Sequence, residues 1–155
     1  MATTITPATL TVQVKEELTL GGATYDTTTT HTIASVANIS KRIYTLTAQT
    51  ATILANFDSS PDIVSPEFDY ANIKYIRITN LDDTNSVIIT KASAATAAAE
   101  EVRAGGSIYM INGAKDVKGA ASKAAQTALA EIETLYAYSA TATVTLDIEV
   151  VIATA

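Results

Sequence analysis

The sequence is short of the residue types on which most enzyme and metal sites depend. It contains no cysteine, no tryptophan and a single histidine, His31. Without cysteine there is neither a disulfide framework nor a thiolate that could attack a substrate or bind a metal. A zinc site normally takes three or four ligands, and one histidine supplies one. We therefore predict no catalytic, cofactor-binding or metal-binding residues and no enzymatic activity, and we interpret His31 as a strand-surface or interface residue.

Charged residues are also scarce. They make up 17% of the chain, against about 25% in a typical soluble domain. Threonine and alanine take their place, so the surface carries few ions that must lose water when a neighbour covers it. This composition favours a subunit that is buried in an assembly over an isolated monomer.

The distribution of charge argues against two classes of partner. The net charge is −6, and the ten lysines and arginines are scattered along the chain rather than clustered. Nucleic acids and anionic membranes both attract clustered basic residues. No segment reaches the roughly 20 apolar residues of a membrane-spanning helix, and the N-terminus, MATTITPATL, lacks a signal-peptide pattern. We expect no specific nucleic acid, no membrane and no export by that route.

Alternation of apolar and polar residues predicts strands, most clearly at 10–20 and 144–152. Glu16 interrupts the first apolar face and is predicted to mark a bulge or a strand end. Gly21-Gly22 is typical of a tight hairpin turn, whereas Pro61 and Pro66 indicate a long loop over 58–69. Further strands are predicted at 26–33, 41–47, 50–57, 74–79, 86–91 and 107–112.

Two alanine-rich stretches, 91–103 and 119–135, are ambiguous because alanine is the best helix former. The first has strands at its flanks, which favours a hairpin. The second leaves open one short helix, since Leu129, Ile132 and Leu135 fall at helical spacing. Together the patterns predict a mainly all-β fold, an antiparallel and jelly-roll-like β-sandwich over residues 9–155. Residues 1–8 have no core pattern and are predicted to form an N-terminal arm.

Oxygen-bearing side chains cluster in NLDDTN, where Asp82 and Asp83 lie between Asn80 and Asn85. Oxygen-rich turns can hold calcium, but this spacing does not match the twelve-residue calcium loop. Asx side chains commonly bond to the local backbone, so a plain turn is favoured. The same interpretation applies to a looser acidic cluster of Asp58, Asp62, Glu67 and Asp69. Paired tyrosines, Tyr136 and Tyr138, are predicted on one face of a strand.

Several phrases carry a resemblance to a known family. Residues 75–91 read YIRITNLDDTNSVIITK, a GGS turn precedes an apolar strand at 105–111, and 147–153 reads DIEVVIA. The phrases LTLGGATYD at 18–26 and KRIYTL at 41–46 add to these. In these phrases the chain resembles small virion proteins of tailed bacteriophages, especially those of aquatic bacteria. The resemblance does not extend to 119–130.

The resemblance implies a structural protein present in many copies on the phage particle and made in the cytoplasm of the bacterial host. It brings no catalytic residues and no cofactor. Among virion roles it favours a capsid decoration, or cement, protein, a β-sandwich that stabilises the head by binding the major capsid protein across capsomers. The expected partners are therefore the major capsid protein and copies of the chain itself, a trimer suiting a capsid three-fold axis.

Two other functions remain open. A tail tube or tail-tip subunit is also a small β-sandwich that forms rings, and 119–135 could supply its helix. A carbohydrate-binding module of a fibre would need exposed aromatics near an oxygen-rich loop, such as Tyr70 or Tyr75 beside Asp82 and Asp83. The absence of tryptophan counts against that module.

Overall fold

The computed structural model describes residues 6–58, 67–94, 96–111, 116–117 and 130–155. These ranges contain strands and one 3₁₀ turn at Tyr70–Asn72. In chain order the strands are β1 (Ala8–Glu16), β2 (Thr19–Leu20), β3 (Ala23–Thr24), β4 (Thr27–Val36), β5 (Asn38–Leu46), β6 (Thr52–Asp58), β7 (Glu67–Asp69), β8 (Ile73–Asn80), β9 (Val87–Ala92), β10 (Ala97–Val102), β11 (Ser107–Ile111), β12 (Asp116–Val117), β13 (Ala130–Glu131), β14 (Thr134–Ser139) and β15 (Leu146–Thr154).

Two sheets face each other across the main core. One has five strands in the order β10-β9-β14-β6-β7, and the other has four in the order β11-β8-β15-β5. Neighbouring strands are antiparallel except β6 and β7, which run parallel. Leu135 and Ile89 from the first sheet and Ile148 from the second are fully buried in one shared cluster. The predicted all-β, antiparallel sandwich is confirmed, and its likeness to a jelly roll stays a prediction.

The C-terminal strand β15 is continuously apolar from Val150 to Ala153, and its position in the fold explains why. Ile148, Val150 and Ile152 face the main core, as their alternation predicts. On the opposite face Val151 and Ala153 are buried as well, because a further layer of the chain covers them. A strand that is buried on both faces loses its polar alternation.

The covering layer is an antiparallel ribbon formed by β1 and β4. The base of the ribbon lies on the outer face of the four-stranded sheet, where Ile33 packs with Tyr75 and Val151. From Gln13 to Thr30 nearly all of the ribbon is exposed, and it ends in the β2–β3 turn. Gly21 and Gly22 have φ of +59° and +85°, which glycine adopts without strain. The predicted hairpin and the predicted strand end at Glu16 are both confirmed.

The sequence leaves open a short helix over 119–135, and this alternative is wrong for the C-terminal end of that range. Residues 118–129 lie outside the described ranges, but Ala130–Glu131 and Thr134–Ser139 are strands. β14 lies between β9 and β6, so hydrogen bonds to both neighbours satisfy its backbone. This pairing and the burial of Leu135 override the helix propensity of alanine. The other alanine-rich stretch forms the predicted hairpin, β9 and β10.

Two further predictions fall partly outside the described residues. Of the N-terminal arm, Thr6 and Pro7 are exposed, and Ala8 already pairs with Val36 in the ribbon. The N-terminal arm over residues 1–8 and the domain boundary after residue 8 therefore stay predictions. The loop expected over 58–69 includes residues 59–66, which are outside the described ranges, and it ends in the short strand β7.

Candidate interaction surface

The NLDDTN segment forms a corner between the two sheets. The Oδ1 atom of Asp82 accepts the backbone N–H groups of Thr84 at 2.8 Å and Asn85 at 2.5 Å. These bonds, that of Asn85 first, hold the pKa of Asp82 below its ordinary value. These are the side-chain-to-backbone bonds of the Asx turn that the sequence favours. Asp83 is exposed and accepts from the Thr84 hydroxyl.

Asn80, which precedes that turn, is a buried junction. Its Nδ2 donates to the carbonyl oxygens of Asn85 at 2.8 Å and Val102 at 3.1 Å, and its Oδ1 accepts the Asp82 N–H at 3.0 Å. One amide thus ties the end of β8, in one sheet, to the turn before β9 and to the end of β10 in the other sheet. Sequence reasoning grouped Asn80 with the turn oxygens, since only its burial, 1% exposed, reveals its structural role.

An acidic pocket of about 350 Å³ lies at the end of β6. It brings together Asp58 and Asp69 of the predicted acidic cluster and adds Glu131 and Glu133. Glu67 lines a different pocket, and Asp62 lies outside the described residues. Asp69 accepts bonds from the Ala71 N–H and the Asn72 amide, which close the 3₁₀ turn. Among the described residues, no three or more acidic or histidine side chains are grouped so as to hold a metal ion.

The aromatic surface expected of a carbohydrate-binding module is not formed around Asp82 and Asp83. Tyr75 is 5% exposed beneath the ribbon, and this burial raises its pKa. Tyr70 lines the acidic pocket instead. Tyr136 and Tyr138 share one face of β14, as predicted, and both are half-buried.

Large apolar side chains are exposed along the projecting part of the ribbon, residues 13–30. We call this part the arm from here on; it is distinct from the predicted N-terminal arm over residues 1–8. Leu18 is 54% exposed, Leu20 67%, Tyr25 60% and Val14 39%. His31 lies just behind the arm, half-buried and paired with Val12, so it is the strand residue that the sequence predicts. A two-stranded ribbon is marginally stable in water by itself, and its exposed apolar groups are typical of a surface that a partner covers.

A second exposed apolar surface lies on β5, an edge strand of the four-stranded sheet. Ile39 is 56% exposed and Ile43 63%. In the part of the chain that the structure describes, β5 pairs with β15 alone, so its outer side presents backbone N–H and C=O groups. Such an edge can accept another strand.

Between the ribbon and β5 the sheet carries a charge cluster. Glu149 is bonded to Lys41, with Nζ and Oε2 2.7 Å apart, and its other oxygen accepts from the Arg77 guanidinium. The Lys41 bond is the main cause that lowers the pKa of Glu149 below its ordinary value. One carboxylate is thus shared by two cations, and Asp147, which accepts the Thr45 hydroxyl at 2.7 Å, lies on the same face of the sheet.

Replacing Glu149 by glutamine is expected to lower the free energy of unfolding by about 1 kcal/mol at neutral pH, since two cations lose their shared carboxylate. A lowered pKa means that the folded state releases this proton more readily than the unfolded state. The stabilisation is therefore present above the ordinary value of 4.5 and is lost as pH falls below it. Urea unfolding from pH 7 to pH 3 should show a flatter acid limb for Glu149→Gln.

The matched control is Glu100→Gln, because Glu100 pairs with Lys91 at 3.0 Å but is 42% exposed. This exposed pair should contribute at most about 0.5 kcal/mol. Equal losses in the two variants would contradict the structural role assigned to Glu149.

None of the described segments is a helix with the length and apolar character needed to cross a bilayer. Comparison of the chain with protein-family models, curated proteins and solved structures gave no match.

Proposed function

We propose that this chain is a non-enzymatic structural subunit of a tailed-phage particle, and that it decorates the head by binding the major capsid protein. The observation that carries the proposal is the arm, where Leu18, Leu20 and Tyr25 stand largely exposed beyond the sandwich. A monomer rarely places large apolar residues on such a projection, because exposing apolar surface to water is unfavourable in free energy. The phage particle itself is proposed from the sequence resemblance at 75–91, 105–111 and 147–153.

Two further features support an assembly role. In the oxygen-rich turn, Oδ1 of Asp82 accepts backbone N–H groups of the turn itself, and the residues that line the acidic pocket include neither histidine nor cysteine. The outward face of the ribbon is rich in threonine, with Thr28, Thr30 and Thr32 of β4 opposite Lys15, Gln13 and Thr11 of β1. Threonine presents little charge, so a neighbour covers it at low desolvation cost.

The test is binding of the purified chain to undecorated heads of the phage that encodes it. Sedimentation with heads should show saturable binding, and bound heads should resist heating better. A variant in which Asn-Gly replaces residues 17–26 should bind at least about tenfold more weakly, because each apolar side chain that it loses is worth about 1.5–3 kcal/mol when buried. Glu16 and Thr27 are directly paired, so this two-residue turn preserves the base of the ribbon.

The matched control is Ile53→Ser, which removes a side chain that is 49% exposed on the five-stranded sheet. It should bind as the parent chain does. Circular dichroism and urea unfolding would establish that both variants keep the sandwich. Parent-like head binding by the shortened variant would contradict a role for the arm, and a parent chain that ignores heads would contradict decoration.

A tail tube or tail-tip subunit is the second candidate, favoured by the reach of the arm. An extended strand over residues 13–20 spans about 25 Å, enough to cross to a neighbouring subunit in a ring. Electron microscopy of the concentrated protein without heads separates the two functions. Stacked rings or tubes, together with failure to bind heads, would favour the tail.

A further inference from the structure

We infer that the capsid protein covers one whole side of the sandwich, the side on which the ribbon lies, and not the arm alone. We call it the ribbon side: it consists of the arm and of two strips of the four-stranded sheet, one on β5 and one on β11, that the base of the ribbon leaves exposed. The inference rests on the proposed function and deepens it, since it names the surface that the capsid protein contacts beyond the arm.

The two strips flank the base of the ribbon on the outer face of the four-stranded sheet. On β5, Ile39 is directly opposite Ala153, which packs with the ribbon, and Ile43 lies on the same face of the strand. On β11, Tyr109 is 47% exposed and points to the same side of the sheet, because its two neighbours in the strand pack against the main core. The ribbon base therefore covers the middle of this face and leaves apolar side chains exposed on both sides of it.

Exposed apolar residues are concentrated on the ribbon side. In the part of the chain that the structure describes, those that lie elsewhere are Ile53, on the five-stranded sheet, and Leu81, at the NLDDTN corner. All other large apolar side chains that are exposed there belong to the arm or to the two strips. Exposed apolar residues of a monomer are normally scattered singly, so their concentration on one side indicates a surface that a partner covers.

The arm is too small to form a stable contact by itself. Residues 13–20 span about 25 Å, and a ribbon of two strands is about 10 Å wide, so one face of the arm offers about 250 Å². A specific and stable interface buries about 800 Å² on each partner. The contact with the capsid protein therefore needs further surface next to the arm, and the two strips supply apolar surface on the same side of the molecule.

The charges beside the strips are already paired within the chain. Glu149 bonds to both Lys41 and Arg77, and Asp147 lies on the same face of the sheet. Paired ions need no counter-charge from a partner, so the surface that fits this face is apolar at its centre and not strongly charged. The partner is thus an apolar surface of the capsid protein that is broad enough to reach both strips.

Thiol protection tests which side is covered, because the chain has no cysteine of its own. Ile43→Cys and Tyr109→Cys each place a thiol on one strip, and Ile53→Cys, on the five-stranded sheet, is the matched control. Each full-length variant is labelled with a maleimide, both free and bound to undecorated heads, and the label is measured in the band of the chain on a gel. Heads should slow labelling of both strip thiols about tenfold or more and change the control by less than about twofold, because the core of an interface excludes solvent.

The possible results separate this inference from the proposed function. Unchanged labelling of a strip thiol on chains bound to heads, or equal slowing at the control thiol, would overturn the inference and leave decoration through the arm standing. A parent chain that ignores heads would overturn both. Slower labelling of Ile43→Cys at high protein concentration without heads would assign its strip to a second copy, against the inference. Loss of head binding by Ile43→Cys alone, with parent-like urea unfolding, would support it.

Discussion

Replacing Asn80 by leucine is expected to lower the free energy of unfolding by about 3–5 kcal/mol, a large effect for a single residue outside the apolar core. Leucine has a similar size but cannot form the three hydrogen bonds of the amide. The carbonyl groups of Asn85 and Val102 and the N–H of Asp82 would lose their partner. Each such group buried without a partner costs about 1–3 kcal/mol. Urea unfolding followed by circular dichroism measures the loss.

Asn80→Asp separates hydrogen bonding from shape. The introduced carboxylate can still accept the Asp82 N–H, but it faces two carbonyl oxygens where the amide had donated. Burial and these oxygens would raise the pKa of the introduced group in the folded state. A raised folded pKa makes its destabilising effect full at neutral pH and weaker as pH falls through that value. The difference in free energy of unfolding between this variant and the parent should therefore be smaller at pH 4 than at pH 7.

Asn38→Ala is the control, since Asn38 is an exposed asparagine at the start of β5. Its replacement should change stability by less than about 0.5 kcal/mol. If Asn80→Leu changed the free energy of unfolding as little as Asn38→Ala, the hydrogen bonds of Asn80 could not be what stabilises the contact between the two sheets at this corner. If Asn80→Asp showed no pH dependence, the introduced carboxyl would have to point to solvent rather than into that corner.

The sequence predicts this fold best where one face of a strand is buried. β15 follows directly from its alternation, because side-chain period decides which face meets the core, and the β9–β10 hairpin follows from the strands at the flanks of 91–103. The same rule predicts β1 but not its surroundings. Leu10 and Val12 meet the sheet, whereas Val14 on the same face is 39% exposed. Alternation identifies an apolar face and does not identify what covers it.

The connections between strands were less predictable. The strands on either side of NLDDTN have the spacing of a hairpin, yet β8 and β9 belong to different sheets. At this corner the side chain of Asn80 turns inward and bonds to the end of β10 in the other sheet. The sequence does not distinguish an asparagine that is buried from one that lies in an exposed turn. The structural role of Asn80 is therefore visible only in the folded structure. The same limit applies to the candidate surfaces, since exposure of Ile39 and Ile43 follows from β5 lying at an edge.

Leu135→Ala should cost about 2–5 kcal/mol, and it tests the strand that sequence reasoning had left open as a helix. Leu135 is 0% exposed and lies in β14, the central strand of the five-stranded sheet. Its truncation leaves a cavity that surrounding strands can fill only in part, because both neighbours hold β14 by backbone hydrogen bonds. Chemical unfolding should report a lower midpoint with an unchanged slope.

Ile53→Ala on the adjacent strand β6 gives the matched comparison, because Ile53 is 49% exposed on the outer face of the same sheet. It should cost about 1 kcal/mol or less, since half of its side chain already contacts water. The ratio of the two losses is a direct measure of which face of the sheet meets the core.

A double variant tests the pairing of β14 with β6, because a helix ending at Leu135 would not be coupled to β6. Non-additive losses in Leu135→Ala/Ala55→Gly would support the direct pairing of these two positions across β14 and β6, and strict additivity would argue against it.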